Sequence, residues 1–211
     1  MKSYRQFCGV AKALDCVGER WTLLIVRDLL LGPRRYSDLQ RGLPGITTNL
    51  LALRLKQMRE AGLVDHRQLP APAAVGIYEL TEMGRELESA ILALGKFGAQ
   101  FMQEPSPQDR LDSRWAMLSL KRRYTGSLLN AKIEVRLDER DYALWIDTEH
   151  LRVIDGVHEE PDARVSGDFR AWFELLAGRS SLRQLLDSGR IQRSGSLRSL
   201  QQFIKAVGGV P

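Results

Sequence analysis

The sequence predicts a multidomain chain: an N-terminal winged helix-turn-helix, mainly α with a β-hairpin wing, followed by a C-terminal α+β domain. Three observations predict it. Residues 34–67 read as two short helices joined by a Gly-containing turn and followed at once by a strand. Residues 104–108, Glu-Pro-Ser-Pro-Gln, have two prolines, no periodicity and no bulky side chain, which is the composition of a linker. Beyond them, Ile133, Val135 and Leu137 alternate with Lys132, Glu134, Arg136 and Asp138, the period of a half-buried strand. The expected domains are therefore residues 1–104 and 109–211.

Residues 7–17 and 20–31 show helical spacing; in the second, Trp21, Leu24, Ile25, Val26 and Leu29 form a broad apolar stripe that Gly32-Pro33 stops. Ser37 reads as the N-cap of the next helix, with Leu39 and Leu43 inward before Pro44-Gly45 breaks it. Thr47 is the expected cap of a helix that runs to about Ala61 and ends in Gly62. Its Leu51, Leu55 and Met58 fall at i, i+4 and i+7, the spacing of a buried face. Two short strands, residues 63–69 and 77–81, flank a loop at 70–76 and make the wing; residues 82–101 are a long helix with an apolar side. In the second half, a helix near 111–124 precedes strands at 131–138, 142–146, 151–154 and 163–166. Helical spacing returns at Phe169, Trp172, Phe173 and Leu176 and again at Leu182, Leu185 and Leu186. A short strand near 190–193 and a last helix with Leu197, Leu200, Ile204 and Val207 inward complete it.

Charge placement narrows the function. The 211 residues carry a net charge of +5, and the segment 34–59 alone, with six basic residues against one acid, also nets +5. The surplus is focused, which favours one anion-binding face over a generally basic surface. A short helix, a tight turn, and a second helix with polar residues at its start and cations nearby are what docking in the major groove of double-stranded DNA requires. The candidate DNA contacts are Arg34, Arg35, Tyr36 and Ser37 to phosphate, and Thr47, Thr48, Asn49, Ala52, Leu53, Arg54 and Lys56 along the second helix. Asn can pair with adenine, Thr offers hydroxyl and methyl, and Ala can meet a thymine methyl. A solvated turn and a plain core helix are the alternative readings.

Matches spread over about 95 residues carry a resemblance: Cys8-Gly-Val with Ala11 and Leu14, Gly18-Glu-Arg-Trp21-Thr-Leu-Leu24, and Leu30-Leu-Gly32-Pro-Arg-Arg-Tyr36-Ser-Asp-Leu39. They continue through Leu43-Pro-Gly-Ile46, Leu51 with Arg54-Leu55, Glu60-Ala-Gly62-Leu63, and Tyr78-Glu-Leu-Thr81 with Gly84. The N-terminal half thus resembles HxlR-type winged-helix regulators, relatives of the MarR group. The resemblance implies sequence-specific DNA binding as a homodimer, with the first and last helices of the domain forming the dimer contact. Gly9 stands where the family usually has proline. The wing lacks Arg and Lys, so Arg67 and His66 at its base are what remains for wing readout. The C-terminal half resembles a sterol-carrier-protein-like domain in its order of strands and in Ala163-Arg-Val-Ser-Gly167 with Ala177-Gly178. That resemblance implies an apolar tunnel, and so an apolar small-molecule effector.

Trp145, Phe169, Trp172, Phe173 and Leu176 are candidate lining for that pocket, with plain core as the alternative. Cys8 matches a position that in some relatives senses oxidants or electrophiles, and Arg5 and Lys12 are placed to lower its pKa; small-residue packing in the dimer contact is the other reading. Cys16 reads as core. The clusters at 147–150 and 158–160 lack metal-ligand spacing, and neither a cofactor nor a metal is expected. No HExxH, GxSxG, CxxC, P-loop or GxGxxG motif is present, so no enzyme is expected. The absence of a signal-peptide core and of a long apolar run points to the cytoplasm, with no membrane partner. The expectation is a dimeric DNA-binding transcriptional regulator controlled by an apolar ligand or by cysteine oxidation. A hydrophobic-ligand carrier that uses the winged domain for protein contact is the alternative.

Overall fold

The structure, a computed structural model, describes residues 3–102, 105–106, 108–126 and 130–211. Glu104 and Pro107 of the expected linker lie outside the described residues. The chain forms two compact units, Met1–Leu94 and Gly95–Pro211.

The first unit opens with α1 (Gly9–Val17) and α2 (Thr22–Leu29), then β1 (Arg34–Arg35), α3 (Tyr36–Gly42), α4 (Thr48–Glu60), β2 (Val64–Gln68), β3 (Gly76–Leu80), α5 (Glu82–Arg85) and α6 (Leu87–Gly98), which runs across the division between the units. The stripes read from the sequence converge: Ile25, Val26 and Leu29 of α2, Leu39 of α3, and Leu51, Leu55 and Met58 of α4 are all buried in one core with Val64 and Leu80 of the hairpin. Leu24, counted in the α2 stripe, lies outside it and is exposed. Thr47 caps α4 as expected, its side chain accepting from the Leu50 amide at 3.3 Å. Gly62, at φ +71°, turns the chain out of α4 into the hairpin, a conformation that favours glycine.

The wing is a three-stranded sheet in the order β1-β3-β2. Its third strand was not expected. Arg34 and Arg35 pair with Tyr78 and Ile77, so the chain leaves β1 directly into α3 and the residue at the helix N-cap is Arg35. Ser37 is therefore inside the helix rather than its cap. Gly84 seats α5 against the hairpin: a Cβ there would lie 2.1 Å from the Leu63 carbonyl oxygen.

In the second unit, α7 (Ser113–Arg123) precedes β4 (Ala131–Leu137), β5 (Arg140–Ile146), β6 (Leu151–Asp155) and β7 (Ala163–Gly167). Helices α8 (Phe169–Leu176) and α9 (Leu182–Asp187), strand β8 (Ile191–Gly195) and helix α10 (Leu197–Ala206) follow. The sheet order is β6-β5-β4-β7-β8, and only the β4–β7 pair is parallel. Period-two alternation sorts the faces. Ile133, Val135, Leu137, Leu144, Val153 and Val165 are buried, and with them Met117, Leu120, Trp172, Leu175 and Phe203 of the helices. Lys132, Arg136, Arg152 and Arg164 are exposed on the other face, where Arg164 meets Glu134 at 3.3 Å.

Because Leu51 is fully buried in the first core, Leu51→Ala is expected to cost about 3 kcal/mol. Urea unfolding should show this as a lower midpoint for the transition of the first unit, with that of the second unchanged.

Candidate nucleic-acid interface

The rotation of α4 about its axis decides which of its side chains reach solvent. With Leu51, Leu55 and Met58 inward, Thr48, Asn49, Ala52, Leu53 and Lys56 are exposed. At 100° per residue these positions fall within one arc. Leu53 is 47% exposed, a large apolar side chain without a core to enter. Asn49 makes no side-chain hydrogen bond among the described residues, so its amide is available to a partner.

Arg54, expected among the DNA contacts, has another task. It is buried; its Nε donates to the Arg20 carbonyl at 3.1 Å, and its guanidinium nitrogens reach Gln57 Oε1 and Glu19 Oε2, each at 2.6 Å. Position 54 lies beside the inward stripe, where a guanidinium must be satisfied by protein groups. The result ties α4 to the turn before α2, a turn in which Trp21 adopts φ +80°.

Two contacts from α3 hold the start of α4. The Tyr36 hydroxyl donates to the Thr48 carbonyl at 2.7 Å, and Gln40 Nε2 donates to Thr48 Oγ1 at 3.2 Å. Burial pushes the Tyr36 phenol up, keeping it a neutral donor. Gln40 was not picked out in the sequence; its one signal is that it follows Tyr36 by a helical turn and so shares its face.

The cations differ in readiness. Arg35 and Ser37 are exposed beside this junction, whereas Arg34 is half-buried and reaches the Asp38 carbonyl at 3.4 Å. Lys56 faces Glu60 at 3.9 Å, an exposed pair of the kind worth little and easily exchanged for phosphate. Arg67 at the wing base is ion-paired to Glu79 of the neighbouring strand, which raises its pKa further. The wing thus offers DNA less positive charge than the sequence suggested.

Cys8 is exposed at the N-cap of α1. The backbone N–H of Ala11, then that of Val10, favour its thiolate and bring the thiol below its ordinary value. Arg5 and Lys12 are not the cause: Arg5 precedes the helix, and Lys12 pairs with Asp15 at 3.7 Å. Cys16, expected in the core, is exposed, because α1 buries only Ala11 and Val17. Around them Tyr4, Phe7, Val10 and Leu14 are exposed, and no residue of α6 is buried.

In the second unit, Phe169, Trp172, Phe173 and Leu176 line a groove of about 470 Å³ between α7 and α8. Trp145 is not part of it. In register with Lys132 and Arg152, it lies on the outer sheet face, edge-to-face with His158 at 4.5 Å and beneath the Arg152 guanidinium at 5.1 Å. His158 is itself buried, with Nε2 2.9 Å from the Leu144 carbonyl.

A winged helix-turn-helix whose second helix presents a small, polar edge, followed by an α+β domain, defines the class. The chain belongs to the HxlR-like helix-turn-helix family, which residues 16–106 match; residues 121–208 match the SCP-2 sterol transfer family. The HTH-type transcriptional regulator Rv3095 of Mycobacterium tuberculosis is 42% identical over 97 residues, 46% of this chain and 61% of that protein's length. The regulator sll1512 of Synechocystis is 31% identical over 99 residues, covering 47% and 73%. YodB of Bacillus subtilis is 32% identical over 91 residues, covering 43% and 81%. The solved reduced form of YodB aligns with 48% of this chain and 100% of its own, at 29% identity and a TM-score of 0.41. All three relatives are described as HTH-type transcriptional regulators.

Two outcomes follow from the geometry. Tyr36→Phe deletes one donor to Thr48, and amide exchange at residues 49–51 should quicken about tenfold, the effect of one hydrogen bond. Cys8 should alkylate with a pH midpoint below that of an ordinary thiol, because its thiolate is favoured. The pH-rate profile of iodoacetamide labelling measures it.

Proposed function

We propose that the chain is a DNA-binding transcriptional regulator that acts as a homodimer in the cytoplasm. Residues 1–104 serve as the DNA-binding and dimerisation domain and residues 109–211 as a ligand-binding domain. One observation carries the reading: α4 turns Thr48, Asn49 and Ala52 outward beside exposed Arg35, with its own core and polar anchors satisfied from behind. Asn49 and Ala52 would meet base edges, and Arg35, Ser37 and Lys56 would meet phosphate. The exposed apolar side chains of α1 and the unburied α6 supply the surface for a second copy. A two-fold dimer that reads both half-sites holds its α4 helices about 34–36 Å apart. Oxidation of Cys8, or uptake of an apolar effector by the groove of the second unit, would change affinity by altering that span.

Fluorescence anisotropy with genomic fragments upstream of the gene tests it. The Asn49→Ala, Arg35→Ala double variant should bind roughly 30-fold more weakly and lose about one unit of salt slope, the loss expected for one base contact and one phosphate contact. Undiminished binding would contradict the reading. The groove favours a second reading, a hydrophobic-ligand carrier; a stoichiometric lipid in mass spectra, together with no salt-dependent DNA affinity, would select it.

A further inference from the structure

The outward edge of α4 offers little that can form a hydrogen bond. Thr48, Asn49, Ala52 and Leu53 are exposed along it, ahead of Lys56. Thr48 Oγ1 already accepts from Gln40 Nε2 at 3.2 Å, which draws the oxygen toward α3 and leaves the methyl as the unengaged group. Ala52 and Leu53 have no polar atom in their side chains. Asn49 brings an amide donor and acceptor, and among the described residues neither has a partner. Leu53 is also set apart by sequence: the other large apolar side chains exposed on the first unit belong to residues 4–24 and 83–94. Residues four apart on a helix share a face, so Asn49 stands over Leu53 and Thr48 over Ala52. Both columns end on hydrocarbon.

The major groove of a duplex presents one methyl group, the C5 methyl of thymine, among hydrogen-bond donors and acceptors. A leucine pressed on a G·C pair would strip water from G O6, G N7 and C N4 and return no partner, a cost at each group. The same leucine on a thymine methyl removes two apolar surfaces from water. Exposed Arg35 at the junction of α3 with α4, and Lys56 one turn beyond Ala52, suit a polyanion better than an apolar protein face. We infer that Leu53 is a specificity-determining residue and that each half-site is read chiefly through methyl groups: Asn49 takes an adenine, and Ala52 and Leu53 take the C5 methyls of thymines. Four residues of helix rise about 6 Å, so the thymine under Leu53 lies roughly two base-pair steps from that adenine. The inference rests on the DNA-reading role proposed for α4 and names the base chemistry that role selects.

Selection of duplexes from a random library by the full chain, followed by deoxyuridine replacement in the selected site, tests it. Deoxyuridine deletes the thymine methyl and leaves every hydrogen-bonding edge as it was. Enriched half-sites should hold an adenine with thymine about two steps away; a G·C pair at that position would overturn the inference. Each uracil placed under Ala52 or Leu53 should weaken binding about fourfold, the effect of one buried methyl. Unchanged affinity would overturn methyl readout. Where cytosine replaces the thymine under Leu53, 5-methylcytosine should recover about fourfold over cytosine, and no recovery would count against the account equally. In Leu53→Ala, which removes an exposed side chain and leaves the core intact, the uracil penalty under residue 53 should vanish while that under Ala52 stays. A penalty that survives would overturn the assignment to Leu53. So would a variant with unaltered affinity and base preference, which would leave Leu53 to a protein partner. Salt-dependent DNA affinity without any uracil effect defeats this inference alone; no enriched duplex and no salt-dependent affinity would defeat the DNA-reading role as well.

Discussion

Burial of Leu51, Leu55 and Met58 fixes the rotation of α4, and every functional argument about the first unit depends on that rotation. A helix with one apolar stripe has one solution against a core, and the opposite edge is then determined without further choice. Arg54 strengthens the constraint with directional bonds. Its three donors reach three separate groups, so a small turn of α4 would break several hydrogen bonds to a charged side chain at once. Tyr36 and Gln40 fix the first turn in the same way from α3. A preorganised edge of this kind binds with less ordering cost than a mobile one.

Electrostatics plays a different part. Of the six basic residues in 34–59, Arg54 is buried against Glu19 and Arg34 is half-buried against the Asp38 carbonyl, while Arg41 pairs with Asp38, the segment's one acid. The +5 read from the sequence therefore overstates the charge that faces outward, and Arg35 and Lys56 bear more of the phosphate-contact argument than their number suggests. In the second unit the imbalance runs the other way. Arg122 and Arg123 line the groove and donate to neutral carbonyls, so a site read in the sequence as an aromatic pocket lining, with plain core as the alternative, gains a polar end in three dimensions.

What could be read from the sequence was periodic or local. The i, i+4, i+7 stripe of α4, the Thr47 cap, the Gly62 exit and the alternation of β4 each involve neighbours within a few residues, and each stands in the structure. What escaped depends on partners distant in the chain. Arg54 meets Glu19, 35 residues away, so its side chain was read as a DNA contact. Arg34 and Arg35 pair with β3, which turned an expected loop into a strand and moved the start of α3. Trp145 lies between Leu144 and Ile146 in a strand whose faces cannot be told apart until its neighbours are known. Cys16 follows a helical spacing compatible with burial, yet α1 is covered along too narrow a line to include it.

The claim that the outward edge of α4 is the DNA-reading surface is tested most directly by photo-crosslinking from a benzophenone side chain at position 52, between Asn49 and Lys56 on that edge. Irradiation with a labelled operator duplex should give an adduct at base positions within the protected site, abolished by unlabelled operator. A duplex bound with full affinity but never crosslinked from position 52 would contradict the account.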